Sequence, residues 1–157
     1  WPNWGEWGGA AFCLEEFVLL APLDPDGHAR LGECYATAST SAGDGGQLAL
    51  LRRARKHLSH ALNLMGDAAG RAAPGATRRR IRRRTSRALL SMASVSSAFL
   101  DSETGGAEEQ EAKICRALLG FACGKLLEMC EGGEFSKTMG ACIKDYVEDK
   151  MQVADLL

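Results

Sequence analysis

Seven arginines stand between residues 78 and 87, in the run RRRIRRRTSR: Arg78, Arg79, Arg80, Arg82, Arg83, Arg84 and Arg87. A guanidinium is a planar fork that bonds carboxylates or phosphates two contacts at a time. The chemistry open to this segment is therefore the holding of an anion. That anion is either an acidic protein surface, in the same molecule or a neighbouring subunit, or the phosphate backbone of a nucleic acid. His57 and His60, three apart on one helix face, could ligate a metal with a third group from another helix. Beside Arg52, Arg53, Arg55 and Lys56 they fit a cationic surface better, and no metal or other cofactor is expected. Six cysteines are present without a C-x-x-C pair, and the four from Cys115 onward are too widely spaced for a zinc ribbon. The common phosphate-loop, dinucleotide, serine-hydrolase and metalloprotease signatures are missing, so no catalytic residue is assigned. Arg83-Arg84-Thr85-Ser86 matches a basophilic kinase site, where a phosphate would offset about two of the local positive charges.

Charge is informative once it is divided by position. The net charge is only -1, but residues 1–48 carry seven acids and one Arg, residues 49–98 twelve bases and one Asp, and residues 99–157 twelve acids and six bases. An acid, base, acid layout means that the arginines can find counterions within the molecule. They need them, because cations in the first turns of a helix oppose its dipole by about 0.3–1 kcal/mol each.

The elements that must position these groups read as helices. At 157 residues the chain is long enough for one domain, and its low aromatic and high Ala and Gly content suits packed helices better than a β-sandwich. From Leu48, residues Leu51, Ala54, Leu58, Ala61, Met65 and Ala68 step by three and four, with Leu62 widening the stripe. A second stripe is Ile81, Thr85, Ala88, Met92, Val95 and Phe99, with Thr77 as its N-cap. A third, from about residue 107 to 131, is Ile114, Leu118, Phe121, Ala122, Leu126 and Met129. The fourth is Phe135, Met139, Cys142, Ile143, Tyr146, Val147 and Ala154. Short glycine-bearing loops imply antiparallel neighbours. The reading is all-α: an up-and-down four-helix bundle over residues 48–157, with residues 1–47 as an irregular or short-helical arm. A hairpin folded at about Gly133 places Cys123 level with Cys142 for a disulfide, and Cys13 with Cys34 is the N-terminal pair. Cys115 and Cys130 are left unassigned, and the alternative is buried free thiols acting as small apolar residues.

Trp1, Trp4 and Trp7 stand three apart among glycines in WPNWGEWGG, and serve either as anchors laid across the bundle or as a docking arm, since Trp is frequent at binding hot spots. Next, EEFVLLAPLDPDGHARLGECYATA resembles an EF-hand over residues 12–40. Asp24, Asp26 and Leu31 stand at the first, third and eighth loop positions. His28 is at the fifth, Ala29 replaces the turn glycine, and Tyr35 replaces the bidentate glutamate. The resemblance therefore implies a degenerate hand kept for its helix-loop-helix shape, without calcium. An ordinary Asp-Pro-Asp-Gly turn is the alternative.

The longest uncharged apolar stretch, FVLLAPL, is far short of the roughly 20 residues that cross a bilayer. The chain begins at Trp1 with no basic and apolar leader, and its cysteines favour processing and delivery to an organelle lumen or the outside. The function expected is a non-catalytic structural or adaptor subunit. It would dock into a larger protein assembly through the Trp-rich arm and the Arg-rich helix. RNA or other nucleic-acid binding by that helix is the second reading, and an enzyme or ligand carrier with a cavity between helices the third.

Overall fold

The computed structural model describes residues 6–69, 76–102 and 109–156. Those residues form six helices and no strand: α1 (Glu6–Leu20), α2 (Pro25–Ser41), α3 (Asp44–Ala69), α4 (Ala76–Asp101), α5 (Glu109–Glu131) and α6 (Lys137–Val153). The protein is all-α. It groups into two compact units, Trp1–Ser91 and Met92–Leu157, and the division falls inside α4 rather than after residue 47.

In the first unit the N-terminal third is more helical than its sequence suggests. The WGEWGG stretch was expected to be irregular, but Trp7, Gly8 and Gly9 lie in the first turns of α1. Tertiary contact overrides their poor propensity: Gly8 is buried, and the Trp7 carbonyl accepts the Cys34 thiol at 3.4 Å. Trp1 and Trp4 lie outside the described residues. Residues 21–24 join α1 to α2. Asp24 caps α2, its Oδ1 accepting the Asp26 N–H at 2.9 Å, and Pro25 occupies the first helical position where its missing N–H costs nothing. Pro25 to Ser41 is then one continuous helix, so the positions an EF-hand would wind around calcium are an N-cap and helix here.

Helix α2 packs closely on α3, and Gly32 is the reason it can. A Cβ at that position would lie 2.7 Å from Leu58 Cγ and 3.1 Å from the Ala54 carbonyl oxygen. Opposite it, α3 buries Leu51, Ala54, Leu58, Ala61 and Met65, the stripe read from its sequence. Ala29 of α2 and Ala88 of α4 join Ala61 and Met65 in one apolar cluster, with Leu62 against it.

In the second unit, Met92, Val95 and Phe99 of α4 are buried as their spacing implies. On α5 the expected stripe holds at Ala122 and Leu126, but Cys115 and Leu119 take the core positions in place of Ile114 and Leu118. Cys115, Leu119, Ala122, Cys123 and Leu126 are buried, whereas Ile114 and Phe121 are exposed. Two cysteines behave as small apolar residues and take the core positions. Gly133, at φ +70°, turns the chain after α5, and the Ser136 hydroxyl caps α6 by accepting the Met139 N–H at 3.2 Å. On α6, Ile143 and Val147 are buried and Met139 is not.

All six cysteines are free thiols, so the expected Cys13–Cys34 and Cys123–Cys142 disulfides are not formed. In each pair one partner is buried, Cys34 or Cys123, and the other, Cys13 or Cys142, faces solvent. The hairpin register explains the second miss. The α5–α6 turn sets Cys130 against the Gly140 carbonyl, with Sγ 3.8 Å from the oxygen, and Cys123 beside Tyr146 rather than Cys142.

Two measurements check this packing. In urea titrations Gly32→Ala destabilises the protein by about 1–3 kcal/mol through overpacking against Leu58. Gly124→Ala, in mid-α5 with nothing within 4 Å of the added Cβ, stabilises it by about 0.5–1 kcal/mol. Thiol alkylation of the native protein, read by mass, modifies Cys13 and Cys142 well before Cys34, Cys115 and Cys123; equal rates at all six would contradict the burial pattern.

Candidate functional site

The first unit divides the arginine run by helical phase. Arg80, Arg83, Arg84 and Arg87 are spaced three and four apart and share one face of α4, on which Ser91 also lies. On α2 the same spacing sets Asp26, Ala29, Arg30 and Glu33 on one face. The two faces meet. Arg84 Nε lies 2.6 Å from Asp26 Oδ1. Arg87 forks onto Glu33, with Nε to Oε1 and Nη2 to Oε2 both at 2.9 Å, and the Ser91 hydroxyl donates to the same Oε1 at 3.4 Å. Both pairings advance in the same chain direction, so α2 and α4 run parallel across this contact.

Around these pairs is a hollow of about 280 Å³. Its charged lining is Asp26, Glu33 and five guanidinium groups, those of Arg30, Arg80, Arg83, Arg84 and Arg87. Ala29, Met65 and Ala88 form its apolar floor. Arg30, Arg80 and Arg83 are exposed and have no carboxylate partner among the described residues. Arg79 is exposed and Arg82 half-buried, both off this lining, and the Arg78 side chain lies outside the described residues. Ser86, the last residue of the kinase-like sequence, is buried with its hydroxyl donating to the Arg83 carbonyl at 3.0 Å, which withdraws it from a kinase.

A second constellation gathers all three histidines of the chain. His28 of α2 lies 5.5 Å in centroid distance from His57 and 4.3 Å from His60, both on α3. His28 Nε2 is 2.8 Å from the Pro22 carbonyl, and its Nδ1 is 3.2 Å from His57 Nδ1. A carbonyl only accepts, so a neutral His28 carries its proton on Nε2 and accepts at Nδ1. His57 must then donate from Nδ1, which leaves its Nε2 as a bare lone pair. Burial, reinforced by His28 and Lys56, pushes the His57 pKa down to about 4. The ring stacks on Tyr35, at 5.8 Å, and Tyr35 donates its hydroxyl to Glu15; burial, with Glu15 beside it, raises the phenol's pKa. The Arg53 guanidinium sits 5.8 Å over the Tyr35 ring. Trp7, Glu15, Tyr35, Arg53, Lys56 and His57 all line one open cleft of about 1020 Å³. A neutral imidazole base beside two cations can take a proton from, or orient, a small anionic guest.

His57 and His60 are thus brought together as their spacing implies. Their third neighbour is His28, whose two ring nitrogens are already engaged, and no cluster able to hold a metal is found among the described residues. Arg30 and Glu33 carry no role in the sequence pattern and Asp26 only a loop position in the EF-hand resemblance, although the three-and-four spacing of all three mirrors that of the α4 arginines. His28 and Glu15 gave no comparable signal, being remote in sequence from α3. No family model matches this chain, and no curated protein or solved structure matches it.

The depressed His57 pKa has a definite sign. The folded ring binds its proton only near pH 4, whereas the unfolded ring binds it near 6.5. Its contribution to stability is therefore whole above about pH 6.5 and is lost as pH falls toward 4. The loss is on the order of 1–2 kcal/mol, less than full linkage gives because the ring is only half withdrawn from water. Urea unfolding at pH 7 and pH 4.5 shows it, and the difference shrinks in His57→Gln; an unchanged difference would mean that the ring stays solvated.

Proposed function

We propose that the protein is a non-catalytic adaptor subunit that docks onto another protein through α1. The observation that carries this reading is the apolar edge of that helix. Phe12, Leu19, Leu20 and the following Leu23 are 52, 76, 85 and 76% exposed, with Phe17 at 43% beside them. Phe12, Leu19 and Leu20 lie on one side of α1 by helical phase and Leu23 stands exposed in the turn that follows; exposed apolar surface of this kind marks an interaction site. Between residues 6 and 23 the chain carries Glu6, Glu15 and Glu16 and no basic residue. That favours a protein partner with an apolar groove and basic rim over an anionic membrane surface, which recruits helices rich in Lys and Arg.

The docking role proposed for the arginines narrows accordingly. Arg84 and Arg87 are taken by α2, which supports an internal, structural use for that part of the run and weakens the case for RNA-backbone tracking. Trp7 belongs to the cleft lining, so the docking edge proposed is the one from Phe12 to Leu23. The up-and-down arrangement of the helices from residue 48 onward belongs to the same proposal, with the antiparallel α5–α6 hairpin in its support. A ligand carrier or enzyme is the second reading, favoured by the lone pair of His57 in a cleft with Arg53 and Lys56.

A photo-crosslinking residue at position 20 tests the first reading in the native source. The expected result is one protein crosslinked in high yield. The product disappears with Leu19→Glu and Leu23→Glu, whose circular dichroism and melting match the parent, and is not formed from position 152 on α6. Recovery of an uncrosslinked monomer overturns the docking role.

A further inference from the structure

We infer that the hollow between α2 and α4 is a binding site for a small molecule bearing a phosphate or diphosphate group, held by Arg30, Arg80 and Arg83. This goes beyond the docking role of α1 and uses a different face. The first support is charge. Two of the five guanidinium groups at the hollow are neutralised, Arg84 by Asp26 and Arg87 by Glu33. The other three converge on the same 280 Å³ with no carboxylate of their own among the described residues. Three uncompensated cations around one small space repel one another, and an arrangement of that kind is relieved by an anion of charge two or more. Arg87, forked on Glu33, and Arg84, fixed by Asp26, hold α4 in the rotation that presents Arg80 and Arg83 beside Arg30. The pairs orient the site, and the unpaired groups remain to bind.

The second support is shape. The hollow is just below the roughly 300–1,000 Å³ usual for small-ligand pockets. It admits a compact tetrahedral group or two joined ones, not a length of nucleic-acid backbone, which needs a continuous charged track. Its floor of Ala29, Met65 and Ala88 belongs to the apolar cluster, with Met65 only 3% exposed. On that side the anion meets no water, and low local polarity strengthens each guanidinium contact. Phosphate oxygens suit three forks arriving from two helices better than a single planar carboxylate does, because they accept in several directions.

Isothermal titration of the full chain with inorganic pyrophosphate at 0.15 M salt tests the site. Saturable one-to-one binding is expected, with inorganic phosphate weaker and chloride at equal ionic strength without effect. Arg30→Gln and Arg83→Gln each weaken pyrophosphate by about tenfold or more, the scale of one charge-assisted hydrogen bond. Neither breaks the Arg84 or Arg87 pair, so their melting temperatures stay near the parent's. Arg79→Gln, exposed but off the lining, changes affinity less than twofold. Absence of saturable binding overturns the proposal, as does an equal loss from Arg79→Gln, which reports diffuse charge. So does a single-stranded RNA oligomer that binds more tightly than pyrophosphate and weakens equally with all three substitutions, since that is backbone tracking along the whole run.

Discussion

Cations crowded into the first half of a helix repel each other and oppose its dipole, and in this protein that strain is met by the carboxylates of a neighbouring helix. Asp26 and Glu33, seven residues apart on α2, take Arg84 and Arg87 of α4. Such pairs at a wetted surface contribute only about 0.2–1 kcal/mol each. Their larger effect is selective. Of the rotations open to α4 about its own axis, they favour the one in which Ala88 meets Ala29, Ala61 and Met65. Without that match the arginine side of the helix would have no fixed phase, and neither the apolar cluster nor the hollow above it would be defined.

Helix α2 therefore has two tasks, separated by its own periodicity. One face, carrying Asp26, Ala29, Arg30 and Glu33, addresses α4. The other, carrying His28, Gly32 and Tyr35, addresses α3 and α1, and the bare backbone at Gly32 brings α2 close enough to α3 for His28 to reach His57. The histidine cluster is thus a consequence of a missing side chain one turn away. Glu15 closes the arrangement from α1 by accepting the Tyr35 hydroxyl.

Much of the helical content was legible because long, strongly periodic stripes leave little ambiguity. Leu51, Ala54, Leu58, Ala61 and Met65, expected to line the core, are all buried, and Leu62, expected to widen the stripe, is partly buried against them. Legibility failed where residue type misleads about burial. On α5, Ile114 and Phe121 look like core and are exposed, while Cys115 and Cys123 are fully buried. On α4, Ser96 and Ser97 are buried with hydroxyls that find no partner among the described residues, a placement no polarity pattern announces. The disulfide assignment failed by register. Taking Gly133 as the fold point places the hairpin about two residues from where the Ser136 cap sets it, and one face of α6 is exchanged for another. At the candidate sites, the arginines were visible as a group but not their partition into paired and unpaired members. That partition depends on α2, more than fifty residues earlier.

The free thiols of Cys34, Cys115 and Cys123 are sheltered only by the fold, which also pushes up the pKa of Cys34 and Cys123 through burial. Once heat or denaturant opens the chain, those sulfurs regain ordinary acidity, ionise more readily and meet oxygen and one another. Random crosslinks then trap the chain faster than it can return. In air, denaturation of this protein is accordingly a one-way event whose midpoint drifts with heating rate, and a reductant restores its reversibility.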